Sequence, residues 1–257
     1  MIFDTHAHYD DEQFNDDRDS MLSSMKEEGV GLIVNIGASL ESSEESIKLA
    51  KNYDFVYAAV GVHPDNVGEL EVGGNFDRLC NLARQDKVVT IGEIGLDYHW
   101  MEQPKEVQAK WFKQQLSLAR ELGKPVNIHS RDAAEDTLKI IQRERAGDMG
   151  GIIHCFSYSV ELALEYVKMG FCIGIGGVVT FKNAKKLKEV VNAIPLERLV
   201  LETDCPYLAP EPNRGKRNSS LYLSYVANTI ATIKNVTVDE VIETTWKNGK
   251  NVYRIEG

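Results

Sequence analysis

The chain has 257 residues, with 29 lysines and arginines against 39 aspartates and glutamates and a net charge of −10. Its 7 prolines and 20 glycines form no biased tract, which excludes a disordered or collagen-like chain, and the acidic balance excludes a protein that coats nucleic acid with a broad cationic face. At about 150 residues per domain the length allows one large domain or two small ones, and the pattern below predicts one, spanning 1–257.

Short β-branched runs alternate with longer amphipathic stretches from end to end. Strands are predicted at Ile2 to His6, Gly31 to Ile36, Phe55 to Gly61, Val88 to Ile94, Val126 to His129, Gly151 to His154, Phe171 to Ile175 and Leu199 to Thr203. Between them lie helices near Asp17 to Glu28, Ser42 to Asn52, Asn75 to Gln85, Lys105 to Leu122, Asp132 to Arg145, Val160 to Met169 and Lys182 to Ala193, with two more, Leu221 to Ile233 and Asp239 to Tyr253, after the last strand. In the longest helix Val107, Trp111, Gln114, Leu118 and Leu122 track one face. Gly29, Gly123 and Gly170 sit where helices should stop, and Pro104 and Ser42 where they should start.

Strands each followed by a helix pair in parallel, and at this length the closed solution is an α/β fold, the (β/α)8 TIM barrel. An open doubly wound sheet is the alternative. A nucleotide-binding version of it finds no support, because Gly174 to Val179 lacks the third glycine of G-x-G-x-x-G and no G-x-x-x-x-G-K-[ST] occurs.

Met1 to Glu12 runs from apolar to acidic with no cationic segment before an apolar one, so no secretory signal is predicted. The longest plainly apolar stretch, Phe171 to Val179, is nine residues, against roughly 18 for a spanning helix. A cytoplasmic location without membrane contact is expected, and Cys80, Cys155, Cys172 and Cys205, with no C-x-x-C pair, are read as reduced thiols.

Five of the six histidines fall at or just beyond a predicted strand's C-terminal end: His6, His8, His63, His129 and His154. In a TIM barrel these ends form one mouth. His6 and His8, two apart in an extended segment, point to one side and can reach one ion. His129 and His154, on neighbouring strands, would form a second site with Glu93 at the end of the fourth. A carboxylate has two oxygens, so Glu93 can bridge two cations. Asp204 would complete the first site and take a proton from the attacking water as general base. Asp204, Glu93 and Glu202 are therefore the catalytic candidates. For Glu202 three roles stay open: orienting a ligand from behind, binding a third ion, or pairing with a nearby cation.

Six ordered blocks carry a family resemblance: Phe3-Asp4-Thr5-His6-Ala7-His8, Gly61-Val62-His63-Pro64, Gly92-Glu93-Ile94-Gly95-Leu96-Asp97-Tyr98, Pro125-Val126-Asn127-Ile128-His129-Ser130-Arg131, His154-Cys155-Phe156-Ser157 and Leu201 to Leu208. They resemble the signature blocks of the TatD family of metal-dependent deoxyribonucleases from Met1 to about Tyr253. The resemblance implies an amidohydrolase-type barrel holding divalent ions with His6, His8, Glu93, His129, His154 and Asp204. It also implies cleavage of DNA phosphodiester bonds, exonucleolytically at single-stranded ends; neither substrate nor bond type follows from the ligand pattern. Two departures bear on substrate preference: Ser219-Ser220 stand where the family has glutamate and proline, and Tyr158 where it has glycine.

Two divalent ions are expected, with zinc, manganese and magnesium all compatible with histidine-carboxylate ligands. Arg131 and Arg214, with Lys216 and Arg217, are the cationic candidates for a phosphodiester, and His63 could contact a phosphate or a third ion. Lys182, Lys185, Lys186 and Lys188 read as a solvated helix face. Trp100, Tyr98 and Tyr207 would stack a base or pack as a lid, whereas Trp111 and Trp246 read as core. No obligate protein partner is predicted. The other reading is hydrolysis of a small ester, lactone or amide at the same ions; such sites often bridge with a carboxylated lysine, and Glu93 stands in its place.

Overall fold

Residues 1–256 are described by a computed structural model of the chain. Eight strands run in chain order around one parallel sheet: β1 (Ile2–Ala7), β2 (Val30–Ile36), β3 (Val56–Val60), β4 (Val88–Asp97), β5 (Val126–Arg131), β6 (Gly151–Ile153), β7 (Phe171–Ile175) and β8 (Leu199–Leu201). Each pairs with the next, and a bridge from Ala7 to Cys205, just beyond β8, brings the last segment back against the first. This is the (β/α)8 barrel.

Helices α1 (Arg18–Ser24), α2 (Leu40–Asn52), α3 (Asn75–Leu82), α4 (Lys105–Leu122), α5 (Ala134–Arg143), α6 (Val160–Lys168) and α7 (Lys185–Ala193) follow β1 to β7 in turn, and α8 (Leu223–Lys234) and α9 (Val238–Tyr253) follow β8. Punctuation works largely as predicted. Gly123 closes α4 in the left-handed conformation, whereas α2 begins two residues earlier than expected from Ser42, at Leu40, with Ser39 as its N-cap and Ser42 returning the cap from the third helical position. No helix among the described residues is long and apolar enough to cross a membrane, and the four cysteines are free.

The strands are buried on both faces, as parallel strands are when helices cover them outside and side chains fill the barrel inside. Val34, Ile36, Ala59, Ile152, Cys172 and Val200 form one apolar cluster with Phe3 of β1 and Tyr253 of α9. Two positions beyond Ile152 and Val200 come His154 and Glu202, and the two-residue period places them on the same face, one layer nearer the mouth.

Two expectations change. β4 does not stop at Ile94 but continues to Asp97, so Glu93 lies inside the strand. In α4 Gln114 is exposed, while Gln108 and Gln115 are buried instead. Gln115 accepts from Val62 N (2.8 Å) and donates to Val62 O (3.0 Å), and Gln108 does the same for Asp97 (both 2.9 Å). Each amide matches the donor and acceptor of a peptide that has run out of strand partners, which is why a polar residue is buried on a helix face.

Candidate metal centre

His6 is fully buried, and its Nδ1 lies 3.1 Å from Asn127 Oδ1. The Asn127 amide is oriented from behind: its Nδ2 donates to Tyr253 Oη (3.0 Å), which donates to Thr5 O (2.8 Å). The Asn127 oxygen therefore faces His6 and takes the Nδ1 proton. His8 Nδ1 donates to Ile36 O (3.0 Å), a carbonyl that can only accept. Both rings thus present unprotonated Nε2 atoms, and these face each other at 3.0 Å. Two lone pairs that close repel unless a cation lies between them, and both atoms are near enough to reach one ion at about 2.0–2.1 Å. The donor pair fits a metal. Lacking one, His8 takes a proton: burial opposes it, but the hydrogen bond and charge of Asp204 and the charge of Glu93 push its pKa up to about 9.

Glu93 lies between two imidazole pairs. Its Oε2 is 3.6 Å from His6 Nε2 and 3.9 Å from His8 Nε2, and its Oε1 is 2.8 Å from His129 Nδ1 and 3.6 Å from His154 Nε2. One oxygen per pair is the disposition a bridging carboxylate requires. Burial would raise its pKa, yet His154, His6 and the His129 hydrogen bond hold it well below the carboxylate range. Among the described residues, His6, His8 and Glu93 form one group able to hold an ion, and Glu93, His129 and His154 another.

Asp204 joins the first group, its Oδ1 lying 3.3 Å from His8 Nε2, 3.6 Å from His6 Nε2 and 3.7 Å from His154 Nε2. β8 ends at Leu201, so Asp204 is aimed by a turn and not by strand alternation: its φ is +58° and its N–H donates to His6 O at 2.9 Å. Glu202 is buried behind His154, with Oε2 3.2 Å from His154 Nδ1 at an angle that makes no hydrogen bond, and Oε1 accepting from Cys155 N at 2.6 Å. Room for it comes from β7, where a Cβ on Gly174 would lie 2.2 Å from Glu202 Oε2. Burial opposes protonation of His154, but the Glu202, Asp204 and Glu93 carboxylates raise its pKa to about 8.

The extra length of β4 adds a residue that the sequence pattern missed. Asp97 is buried, and its Oδ2 is 3.0 Å from His129 Nε2 while its Oδ1 accepts from the backbone N–H groups of His99 (2.8 Å) and Trp100 (3.0 Å). With Nε2 engaged by Asp97, His129 presents Nδ1 to Glu93. Burial disfavours charge on His129, but its hydrogen bonds to the Asp97 and Glu93 carboxylates drive its pKa up to about 10. The signal available was spacing: Glu93 and Asp97 are four apart in one strand and share a face.

Asp4 was also missed. Fully buried, it accepts from His6 N (3.2 Å), Thr203 N (3.0 Å), Thr203 Oγ1 (2.7 Å) and Ser220 Oγ (2.6 Å), tying β1 to the segment that carries Asp204. Burial lifts its pKa to about 7 against these bonds.

The expected substrate groups fare unevenly. His63 is edge-on to His129, with ring centroids 4.3 Å apart, and joins Asp97 and His129 in a further group able to hold an ion. Arg131 is exposed and faces the Trp100 ring at 5.7 Å. Arg214 is exposed over Phe181 at 4.3 Å and lies 4.0 Å from Glu211. Arg217 is engaged elsewhere, bonded to both carboxylate oxygens of Asp17 and to Gln13 O, so it clamps a loop. Trp100 and Tyr207 are exposed; Tyr98 donates to Asp136 (3.0 Å) with Lys105 over its ring. Trp111 is buried, and Trp246 packs on Phe3.

Known proteins resemble the chain in sequence and in fold. A family model described as TatD related DNase matches residues 3–254. The chain is 45% identical over 255 residues to the uncharacterized metal-dependent hydrolase YabD of Bacillus subtilis, covering 99% of this chain and 100% of that one. It is 36% identical over 259 residues to the uncharacterized metal-dependent hydrolase YcfH of Escherichia coli, covering 100% and 97%. The crystal structure of YJJV, a TatD homologue from Escherichia coli, superposes with a TM-score of 0.89 at 30% identity, covering 99% of this chain and 98% of that one. Matched nearly end to end in sequence and in fold, the chain belongs to the TatD-related DNase family of metal-dependent hydrolases.

Proposed function

We propose that the chain is a phosphodiesterase acting on DNA, releasing nucleotides from single-stranded ends with two divalent ions held by His6, His8, Glu93, His129, His154 and Asp204. The observation that carries the two-ion part of this reading is Glu93, whose two oxygens each face one imidazole pair, while DNA as substrate rests on the match to the TatD related DNase model. Bound divalent ions supply Lewis-acid polarisation of a phosphoryl oxygen and bring the pKa of water towards neutrality. Asn127 and Ile36 O fix His6 and His8 with Nε2 toward the ions, and Asp97 does so for Nδ1 of His129. Asp204, the most accessible of the ligand carboxylates at 20%, accepts the proton of the attacking water. Glu202, buried behind His154 with Oε2 3.2 Å from its Nδ1, favours a proton on Nδ1 and so leaves Nε2 for an ion. His63 and Arg131 are assigned to the substrate phosphate, Arg214 to the strand beyond it, and the reaction is placed in the cytoplasm.

The test is incubation of metal-stripped protein with end-labelled single-stranded and duplex DNA, adding magnesium, manganese or zinc singly. A ladder from wild type and none from Asp204→Ala supports the proposal. Intact DNA with every metal, from folded and metal-loaded protein, overturns it in favour of a small ester or amide substrate.

A further inference from the structure

Beside the metal centre, between the ends of β6, β7 and β8, lies a cavity of about 320 Å³, at the lower end of the range for small-molecule pockets. Asp204 and Glu202 are among its lining residues, so it adjoins the ligand cluster. Phe156, Val178, Leu187 and Leu208 give it apolar walls. Lys185 and Lys186, at the start of α7, stand at its rim and form no ion pair among the described residues. Their neighbour Lys188 instead turns back to cap Phe181 O at 2.8 Å. The lysine-rich segment is therefore not one uniform solvated face, because two of its cations line a pocket.

Resting on the phosphodiesterase reading, we propose that this cavity is a subsite for one nucleoside of the strand, the one adjoining the scissile phosphate, and that Lys185 and Lys186 hold the next phosphate along. A strand with its scissile phosphate at the ions carries a sugar and base next to it, and this cavity, lined by Asp204, adjoins that phosphate. The cavity is too small for a base pair and has the apolar walls that a base requires. Two ammonium groups without an ion pair among the described residues, lining the same cavity as Asp204, can hold the phosphate next to the one at the ions. Arg217, by contrast, is already neutralised by Asp17. The subsite explains how an acidic chain can grip a polyanion: cations are concentrated at one pocket beside the metals.

Two variants test this, Lys185→Ala/Lys186→Ala and Val178→Trp, which fills the cavity from a half-exposed position. Each metal-loaded protein is assayed on a single-stranded DNA hexamer and on bis(p-nitrophenyl) phosphate, a diester with no nucleoside and no second phosphate. The expected result is a fall of about tenfold in the ratio of hexamer to small-diester kcat/KM for both variants. For the lysine variant the slope of log kcat/KM against log salt also becomes shallower by about 0.7, the share of one single-strand phosphate. An unchanged ratio in both variants, with both substrates still turned over, overturns the subsite and leaves the phosphodiesterase reading standing. Failure of wild type to cleave either diester overturns both.

Discussion

Asp97→Asn isolates one contact. In the wild type, Oδ1 of Asp97 accepts from the backbone of His99 and Trp100 while Oδ2 accepts from His129 Nε2 at 3.0 Å. An asparagine keeps the first oxygen, and with it the loop, but places an NH2 group where Oδ2 was. Two donors now meet at 3.0 Å, and the relief is a change of tautomer: His129 moves its proton to Nδ1, the nitrogen that faces Glu93 at 2.8 Å. That removes the lone pair an ion would use. Replacing such a partner behind a metal-bound histidine costs about 10- to 100-fold in metal affinity, or roughly 1.4–2.7 kcal/mol. The assay is competition for zinc against a fluorescent chelator at pH 7.5. The expected result is one weakened ion, in the group of Glu93, His129 and His154, with unchanged affinity in the group of His6 and His8. Zinc held within twofold of wild type in both groups, by a variant with an unaltered circular dichroism spectrum, would refute the tautomer argument.

Two further outcomes follow from the same geometry. In metal-free protein the pKa values of His8, His154 and His129 are raised to about 9, 8 and 10, so all three carry protons at pH 7 and must lose them to ligate. Zinc loading at pH 7 should release about three protons, read by calorimetry in buffers of different ionisation enthalpy, and affinity should climb from pH 7 to 9 and level off above pH 10; no proton release at pH 7 would contradict the assigned charges. Asp4→Ala leaves buried donors from His6, Thr203 and Ser220 without their acceptor, at a cost of about 2–4 kcal/mol, or roughly 10 °C in Tm. A loss under 1 kcal/mol by urea denaturation would show that another group satisfies them.

Much of the fold is legible in the chain because its signals are local. A period near two in the strands, a period near four in the helices and glycine at helix ends are each consequences of backbone geometry over a few residues, and α4 is recovered as Lys105–Leu122 from such signals alone. The six ligand candidates are legible for a related reason. A barrel brings all eight strand ends to one mouth, so counting strands is enough to bring His6, Glu93 and Asp204 together.

What the tertiary structure decided is everything that depends on a partner far away in the chain. Asp97 gained its role because β4 runs on to pair with β5 as far as Arg131, where His129 sits opposite Gly95. Asn127 and Tyr253 set the face of His6 across separations of 121 and 126 residues, and Asp4 meets Ser220 across 216. The RGKR loop and the lysines of α7 look alike as charge runs, yet one arginine of the first is spent on Asp17 while two lysines of the second line the cavity beside the metals. The reason is the same in each case: residue type and spacing specify what a side chain can do and which way its own element points it, but the partner that uses that capacity is chosen only when distant elements pack.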